Sequence, residues 1–390
     1  MTGKRVRVGE VLALQRREVI IDPMSKYRLI GVYSFGKGIF HREPQTGAEL
    51  RDYRFFAIEP GDLVLSNIQA WEAAIGFATE LDEGTIGTHR FLSYVPTSNR
   101  IDTNWARWFF LSEPGMDLIR QAAPGTTIRN RTLAIDRFEA LEIPLPPIDK
   151  QRHVADRLDR LQAAATELAR RSSHASDLSS ALAVSASTRP DLDDHAKTLA
   201  GWRRVALGQV LETSLNQVQV EPTDHYPIAG IYSFGRGLID RGAIVGAETS
   251  YKTLTILGEG DVVVSKLNGW EGAVAVVDAR CDGFCVSSEY PTFRADSRSL
   301  VPMFFQGIAR SPRFWDTLNS NARGSMVRRR RINSNEFLAT YIWLPPLDIQ
   351  AQVAESLQLV DRTAETRELG RTRLKALVPA AINEAFAALN

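Results

Sequence analysis

The sequence has few cysteines, no long apolar run and almost no net charge. Its 390 residues include only Cys281 and Cys285, which are too few for a disulfide framework and typical of a reducing compartment. No apolar run reaches the roughly 18 residues of a membrane-spanning helix, and residues 1–19 show no apolar signal region. We therefore expect a cytoplasmic protein with no membrane partner. The net charge of +1 means that any polyanion must be bound by local basic patches.

Signatures of catalysis and of cofactor binding are also missing. The stretches YSFGKG and YSFGRG have two close glycines, but no G-x-G-x-x-G or P-loop pattern occurs. A nuclease site would pair two carboxylates with a lysine, yet near Asp261 and Lys266 a valine stands where the second carboxylate is needed. Cys281 and Cys285 lack a further His or Cys pair at the spacing of a metal site. We predict a chain that is not an enzyme and holds no metal or cofactor of its own.

What the sequence does contain is a long internal repeat. The stretch YSFGKGIF at residues 33–40 returns as YSFGRGLI at residues 232–239, 199 positions later. The same offset relates residues 60–66 to 259–265, Trp71-Glu72 to Trp270-Glu271, and IPLPPI at 143–148 to IWLPPL at 342–347. The chain is therefore two copies of one unit.

Each copy is predicted to begin as a sheet and to end in helices. Short apolar runs at residues 27–32 and 226–231 indicate strands that end in glycine-rich turns. The Gly-Asp pairs at 61–62 and 260–261 indicate a turn before a buried β-branched strand. Helical spacing follows at residues 105–119 and 303–318.

A long helix is predicted after the proline pair of each copy. Apolar residues recur there at heptad spacing, which predicts helix pairing: Val154, Leu158, Leu161, Ala165 and Leu168, then Val353, Leu357, Val360 and Ala364. The first helix is expected to run to about Val184, with a linker at 185–198. The second is expected to break near Gly370.

These elements predict an α+β fold with a pseudo-twofold internal repeat. Two tandem mixed α/β domains would alternate with two long helices that pair as an antiparallel coiled coil. The predicted boundaries place the first globular domain at residues 1–147 and its helix and linker at 148–198. The second globular domain is placed at 199–346 and the second helical region at 347–390.

The architecture resembles the specificity subunit of type I restriction–modification systems. The resemblance covers essentially the whole chain. It rests on the alternation of α/β units with heptad helices, on the proline pairs, and on Gln151 and Gln350 just inside the helices. Its most specific segments are LPPIDKQRHVADRLD, LPPLDIQAQVAESLQ and the G-D-x-V-x-S turn and strand.

The resemblance implies a function in the recognition of double-stranded DNA. The globules would be target recognition domains, each contacting one half of a split sequence. The helices would fix the gap and dock two methyltransferase subunits, which would carry S-adenosylmethionine. The chain itself would catalyse nothing, and the resemblance leaves open whether a translocating restriction subunit also joins.

Candidate DNA-contacting residues are the cations, amides and histidine that follow the predicted strands and turns. Arginine and lysine suit phosphates and guanine, whereas asparagine and glutamine suit adenine. The candidates are Lys37, Asn67, Gln69, His89, Arg90, Arg129, Arg131, Arg236, Lys266, Asn268, Arg328, Arg329, Arg330 and Arg331. A structural role stays open for each, as a solvated arginine loop, turn polarity or a surface histidine.

Aromatic and acidic residues near these positions are predicted to be structural. Trp71 and Trp270 are expected to anchor the core, and Glu72 and Glu271 to hold local structure, because a carboxylate would repel phosphate. For the aromatic residues of YSFGKG and YSFGRG, the sequence leaves core packing and groove contact equally open.

Two rival hypotheses come from other functional classes. The first is an assembly scaffold whose globules bind protein or only non-specific DNA, as the near-zero net charge would suggest. The second is a stand-alone nuclease, which the missing carboxylate argues against.

Overall fold

The computed structural model describes residues 5–125, 131–321 and 331–387. The chain divides into two compact units. Unit 1 comprises Met1–Arg170 and Gly370–Asn390, and unit 2 comprises Arg171–Leu369. Unit 1 is therefore built from two separate stretches of chain, whereas unit 2 is continuous.

Unit 1 is a mixed α/β globule. In chain order its elements are β1 (Arg5–Arg7), α1 (Val8–Val11), β2 (Leu12–Gln15), β3 (Glu18–Val19), β4 (Lys26–Tyr33), β5 (Gly38–His41), β6 (Gln45–Thr46), β7 (Phe55–Ile58), β8 (Leu63–Ser66), β9 (Ile75–Phe77), β10 (Thr85–Thr88), β11 (Phe91–Pro96), α2 (Thr103–Leu111), α3 (Glu113–Ala122), α4 (Ile135–Glu139), β12 (Glu142–Pro144) and the first part of α5 (Ile148–Thr188).

The strands described in unit 1 form three sheets. One pairs β1 with β12, the second has the order β2-β11-β8-β9, and the third has the order β3-β7-β10-β4-β5 with β6 added on β4. The predicted Gly-Asp turn precedes β8: Gly61 has φ +91°, a conformation that glycine adopts without a steric penalty. All four residues of β8 are buried, as predicted for the strand after this turn.

The core of unit 1 contains residues from the strands and from both ends of the sequence. Trp105 and Phe109 of α2 stack with ring centroids 5.5 Å apart. Phe386, near the far end of the chain, packs edge-on against both rings. Asp102 caps α2 and Ser112 caps α3, each accepting a backbone N–H of the first turn.

Unit 2 repeats this sequence of elements. They are the end of α5, α6 (Asp194–Leu199), β13 (Arg203–Ala206), β14 (Leu211–Thr213), β15 (Gln217–Gln219), β16 (His225–Ile231), β17 (Leu238–Val245), β18 (Thr253–Ile256), β19 (Val262–Val264), β20 (Val274–Val276), β21 (Cys285–Val286), β22 (Thr292–Ala295), α7 (Pro302–Ala309), α8 (Pro312–Asn321), α9 (Ser334–Leu338), β23 (Tyr341–Leu344) and the first part of α10 (Leu347–Ala387).

Sheet order is repeated together with the sequence. In unit 2, β13 pairs with β23, a second sheet has the order β14-β22-β19-β20, and a third has the order β15-β18-β21-β16-β17. Each sheet matches one of unit 1 strand for strand, apart from the added β6. Each unit also contains one parallel pair in its third sheet, β10 with β4 and β21 with β16. The predicted duplication is confirmed.

The two long helices pair as an antiparallel coiled coil, as the heptad seam predicted. In unit 1, Ala165 of α5 lies in the same hydrophobic core as Val378 of α10. In unit 2, Arg367 of α10 donates a hydrogen bond to the hydroxyl of Ser179 of α5 at 3.3 Å. Residue numbers thus rise along one helix as they fall along the other. No helix in the described ranges is both long and apolar enough to cross a bilayer.

Two predicted helix ends were wrong. The first helix continues beyond Val184 to Thr188, and part of the expected linker forms α6. The second helix does not break at Gly370 and also accommodates Pro379. A glycine costs a helix only about 1 kcal/mol relative to alanine, and packing of the following residues into the core of unit 1 offsets that cost.

A buried glutamine ties each long helix to its globule. The side-chain oxygen of Gln151 accepts the backbone N–H of Asp102 at 2.9 Å. Its NH₂ group donates to the carbonyl oxygens of Arg100 and Pro146 at 2.9 and 2.7 Å. Gln350 makes the same three bonds in unit 2, with Val301, Ser299 and Pro345. Both glutamines have no exposed surface.

Candidate nucleic-acid interface

The repeated YSFGKG stretch of unit 1 forms the hairpin loop between β4 and β5. Phe35 has φ +63°, a left-handed conformation that bulky residues rarely adopt. Two backbone bonds hold it there, from the N–H of Phe35 to the carbonyl of Glu72 at 2.8 Å and from Gly36 to Ala73 at 2.9 Å. The Glu72 carboxylate also accepts the Ser34 hydroxyl at 3.3 Å, which confirms its predicted structural role.

The equivalent loop of unit 2 has the same construction. Phe234 has φ +64°, and its N–H donates to the carbonyl of Glu271 at 2.9 Å. Gly235 donates to Gly272 at 2.8 Å. The Glu271 carboxylate accepts the Ser233 hydroxyl at 3.4 Å. The two loops are therefore held by matching contacts.

The aromatic residues of these loops do not belong to the core. The exposed fractions are 50% for Tyr33 and 76% for Phe35 in unit 1, and 43% for Tyr232 and 52% for Phe234 in unit 2. Of the two roles that the sequence left open, core packing is excluded. Large apolar side chains at these positions are available for contact with another molecule.

A groove of about 810 Å³ in unit 1 brings together four of the predicted DNA-contacting residues. Lys37, Gln69, His89 and Arg90 all line it, and all four are exposed. The sequence placed them in three separate loops. The sheet joins these loops because β8 pairs with β11 and the backbone N–H of the residue after β8 bonds to the carbonyl of Arg90 at 2.8 Å.

The groove also contains two cations that sequence reasoning missed. Arg42 and Arg51 line it together with Lys37 and Arg90, and the one carboxylate among its lining residues is that of Glu49. This carboxylate already accepts the N–H and hydroxyl of one threonine at 2.8 and 2.9 Å. Arg42 could have been found from sequence, because an arginine recurs 199 positions later. No such signal exists for Arg51.

Asn67 does not line this groove, although the sequence predicted a DNA contact. It is half-buried, and its backbone carbonyl accepts the N–H of Leu133 at 2.7 Å. Its side-chain oxygen is buried and has no hydrogen-bond partner among the described residues. Asn67 therefore helps to set the backbone beside the groove.

The predicted arginine clusters are only partly described. Arg129, Arg328, Arg329 and Arg330 lie outside the described residues. Arg131 is half-buried, donates to the carbonyl of Gly125 at 3.1 Å and lies 5.2 Å from the ring centroid of Trp71. In unit 2, Arg331 pairs with Glu289 at 2.9 Å.

The candidates of unit 2 lie on an equivalent frame. Lys266 is half-buried and Asn268 exposed. The backbone of Lys266 donates to Glu289 at 3.0 Å and accepts from Ile332 at 3.0 Å. The guanidinium of Arg236 lies 4.8 Å from the ring centroid of Tyr232, and its Nε donates to a backbone carbonyl at 3.1 Å. This cation is held in place before any ligand binds.

The two predicted tryptophan anchors differ. Trp71 packs against the core of unit 1, as predicted, and its indole N–H donates to the carbonyl of Ile68 at 3.0 Å. Trp270 is half-buried and makes the same bond to Leu267 at 2.8 Å, but it belongs to no described hydrophobic cluster of unit 2.

The predicted helix-pairing residues also differ in burial. Leu158 and Leu357 are buried. Val154 and Leu161 pack partly buried against the core of unit 1, and Val353 does so in unit 2. Val360 is half-buried, and Leu168 is 52% exposed.

No group of three or more metal-ligating side chains occurs within the described ranges. The two thiols are buried, and burial raises the pKa of Cys281 and of Cys285. A buried neutral thiol is a poor nucleophile and a poor metal ligand.

No protein-family model matches the sequence, and no curated protein matches it either. Solved structures match over nearly the whole length. The HsdS subunit from Thermoanaerobacter tengcongensis is 18% identical with a TM-score of 0.53, over 99% of this chain and 97% of that one. The type I restriction–modification S subunit from M. genitalium is 12% identical with a TM-score of 0.52, over 99% of each.

A third match comes from a structure on complex assembly and conformational transition of the type I restriction–modification system. It is 20% identical with a TM-score of 0.61, over 98% of this chain and 97% of that chain. Because the identities are 20% or lower, these matches show similarity of fold. The chain has the fold of type I S subunits, which confirms the resemblance at that level.

Proposed function

We propose that this chain is a specificity subunit that recognises a bipartite DNA site and positions the methyltransferase subunits of a type I restriction–modification system. The observation that carries the proposal is the basic groove of unit 1. Four cations and one carboxylate line it in a chain whose net charge is only +1. Duplication of the unit then supplies two recognition sites in one chain.

The chemistry of the groove suits the edge and backbone of duplex DNA. Lysine and arginine side chains release condensed counterions when they neutralise phosphates, which favours binding. Arg90 and Gln69 lie at the ends of neighbouring strands and have the donor groups that suit guanine and adenine. The exposed cations Arg42 and Arg51 are suited to phosphate contact, which fixes register.

The half-sites recognised by the two units are proposed to differ in sequence. Ser288 and Glu289 of unit 2 stand where His89 and Arg90 stand in unit 1, and Lys266 stands in the place of Asn67. Glutamate accepts from cytosine, whereas arginine donates to guanine. An asymmetric bipartite site follows from these exchanges.

Catalysis is proposed to belong to partner subunits. Two methyltransferase subunits would bring S-adenosylmethionine and transfer its methyl group to DNA. The long helices, with exposed leucines such as Leu168, are proposed to contribute to docking them. A restriction subunit is a further partner that neighbouring genes would reveal.

The test is a map of methylated bases in cells that carry the chain together with its neighbouring genes. We expect a motif of two short half-sites separated by a fixed number of unspecified bases. Gln69→Ala should relax one half-site and leave the other unchanged. Arg120→Ala is the matched control, because Arg120 pairs with Asp117 on the exposed face of α3 in the same unit and lies outside the groove.

Three outcomes would overturn the proposal. Absence of any chain-dependent motif would favour the assembly scaffold. A contiguous motif with no gap would contradict recognition by two units. Cleavage of plasmid DNA by the purified chain with Mg²⁺ alone would contradict the absence of catalysis.

A further inference from the structure

We propose that Phe35 and Phe234 are wedge residues, whose phenyl rings insert at a partly opened base step in each half-site. The inference rests on the proposed function and adds a mode of DNA deformation to it. Its basis is the juxtaposition, in both units, of an exposed phenyl ring, a left-handed backbone and an adjacent cation.

The first observation is the exposure of both phenyl rings, of which that of Phe234 also packs edge-on against Trp315 with ring centroids 5.5 Å apart. Phe35 is 76% and Phe234 52% exposed, although burial of a phenyl ring normally stabilises a fold. In unit 1 a further exposed aromatic residue, Tyr53, lines the same groove as Phe35. In both units the tyrosine and the phenylalanine of the repeated loop are exposed at equivalent positions.

The second observation is the backbone strain at both phenylalanines. A left-handed φ costs a bulky residue free energy that glycine would not lose. The loop has glycine on the next residue instead, where a side chain would not fit: a Cβ on Gly235 would approach a backbone oxygen to 2.6 Å. The fold thus places a phenyl ring at the strained position and fixes it with two backbone hydrogen bonds.

The third observation is a positive charge beside each phenyl ring, which favours DNA as the molecule that the ring contacts. Lys37 and Arg236 follow the two phenylalanines by two residues, and Arg236 lies within 6.0 Å of the Phe234 ring centroid. Phe35 itself lines the basic groove. A ring carried beside cations is suited to a polyanion with stacking surfaces, and apolar side chains are known to insert between base pairs and kink duplexes.

Preorganisation makes insertion favourable. The loop loses little conformational entropy on binding, because its conformation is already fixed by Glu72 or Glu271. The opened step is stabilised by stacking on the ring, and phosphate contacts of the neighbouring cation keep the loop at the groove. Each unit would open one step of its own half-site.

The experiment uses the full chain and a duplex that it selects from a random-sequence pool. 2-Aminopurine, whose fluorescence rises when it is unstacked, replaces one adenine or neighbouring base at a time across both half-sites. We expect the wild-type chain to raise the fluorescence several-fold at one step in each half-site. Phe35→Ala should abolish the rise in one half-site, Phe234→Ala in the other, each with about tenfold weaker binding.

Two further variants separate insertion from folding. Phe35→Trp should retain the fluorescence rise. Phe35→Gly relieves the strained φ, so we expect a chain that unfolds at higher temperature and yet gives no rise. Leu81→Ala is the matched control, because Leu81 is 77% exposed in the same unit and does not line the groove.

The outcomes distinguish this inference from the proposed function. Failure to select any sequence would count against sequence-specific recognition itself. A selected duplex that binds without a fluorescence rise at any position would overturn the wedge and leave recognition intact. Phe35→Ala that binds DNA normally but loses partner subunits would assign the ring to protein docking, which also overturns the wedge.

Discussion

Units 1 and 2 have the same backbone hydrogen bonds around their proposed recognition surfaces but carry their charged side chains at different positions. The N–H of Asn67 bonds to the carbonyl of Arg90 in unit 1, and the N–H of Lys266 bonds to that of Glu289 in unit 2. Each pair contains one cationic residue. In unit 1 it is Arg90, whose carbonyl accepts the bond, and in unit 2 it is Lys266, whose N–H donates it. The hydrogen-bonded backbone is therefore constant, while the side chains on it differ, as the proposed recognition of two different half-sites requires.

The units differ more strongly where each globule meets the long helices. In unit 1, the indole of Trp108 donates to the carboxylate of Asp159 on α5 at 3.0 Å. The matching position of unit 2 is Gly307, which lets Ser187 and Leu357 approach its backbone. A large side chain in one unit and none in the other therefore give the two junctions different packing.

The largest expected effect tests this difference at the helix junction. Trp108→Ala removes a buried indole, so we expect unit 1 to lose about 3–5 kcal/mol of stability. Gly307→Ala would place a Cβ 1.9 Å from the Ser187 hydroxyl, with an expected cost to unit 2 of about 1–3 kcal/mol. Hydrogen exchange resolved by peptide measures each unit separately. Equal loss of protection in both units after either change would contradict the comparison.

The second prediction tests where the units agree. Gln151→Leu and Gln350→Leu each remove three hydrogen bonds from a buried site and leave backbone groups unsatisfied. We expect each to cost about 1–3 kcal/mol, in equal measure. The same exchange experiment applies, with the exposed Gln162→Leu as control, expected to change stability by less than about 0.5 kcal/mol. A cost in one unit only would show that the two helix attachments are not equivalent.

The third prediction exchanges the charges of the two recognition surfaces. Arg90→Glu should weaken DNA binding and reduce the slope of log affinity against log salt, because a carboxylate replaces one of the four cations of the groove. Glu289→Arg should increase that slope, because it adds a cation and releases Arg331 from its ion pair. Titration at several salt concentrations gives both slopes. We expect an unchanged slope only for the control Arg120→Ala. If both variants also leave the slope unchanged, Arg90 and Glu289 do not belong to the interface.

The smallest expected effect concerns the reactivity of the thiols of Cys281 and Cys285, which both lie in unit 2. Their ordinary pKa of 9.0 is raised by burial, so each thiol stays neutral at pH 7 and reacts slowly with alkylating reagents. Stability contributed by the bound proton is complete below the unfolded pKa and is lost as pH rises through the folded one. We therefore expect these two thiols to lower the stability of unit 2 above about pH 9.

Alkylation followed by mass spectrometry measures how fast the two buried thiols become accessible through local unfolding of unit 2. Gly307→Ala should speed labelling of both thiols, and Trp108→Ala should leave the rate unchanged. Fast labelling of the unaltered chain at pH 7 would refute the burial argument.

Much of the fold was predictable because the repeat displays each strand twice. The Gly-Asp turn and the apolar run after it have a local physical cause, and the structure follows them at β8 and β19. The continuation of α10 through Gly370 was not predictable, because tertiary packing of Val378 and its neighbours decides it. Local propensity alone could not weigh that packing.

The candidate interface was predictable only in part. Polar residues after strands pointed to Gln69 and Arg90, but their approach to Arg51 depends on sheet pairing, which a single sequence does not display. Phe35 was the hardest case. Its hydrophobicity favours burial, whereas the structure gives it a left-handed backbone and leaves it 76% exposed.

The division of unit 1 into two stretches of chain has a consequence for its synthesis. A ribosome makes all of unit 2 before it makes residues 370–387, which complete unit 1. Until then the aromatic surface formed by Trp105 and Phe109 lacks Phe386 and is exposed to chaperones and to other nascent chains. The globule that is translated first is therefore the one that finishes folding last.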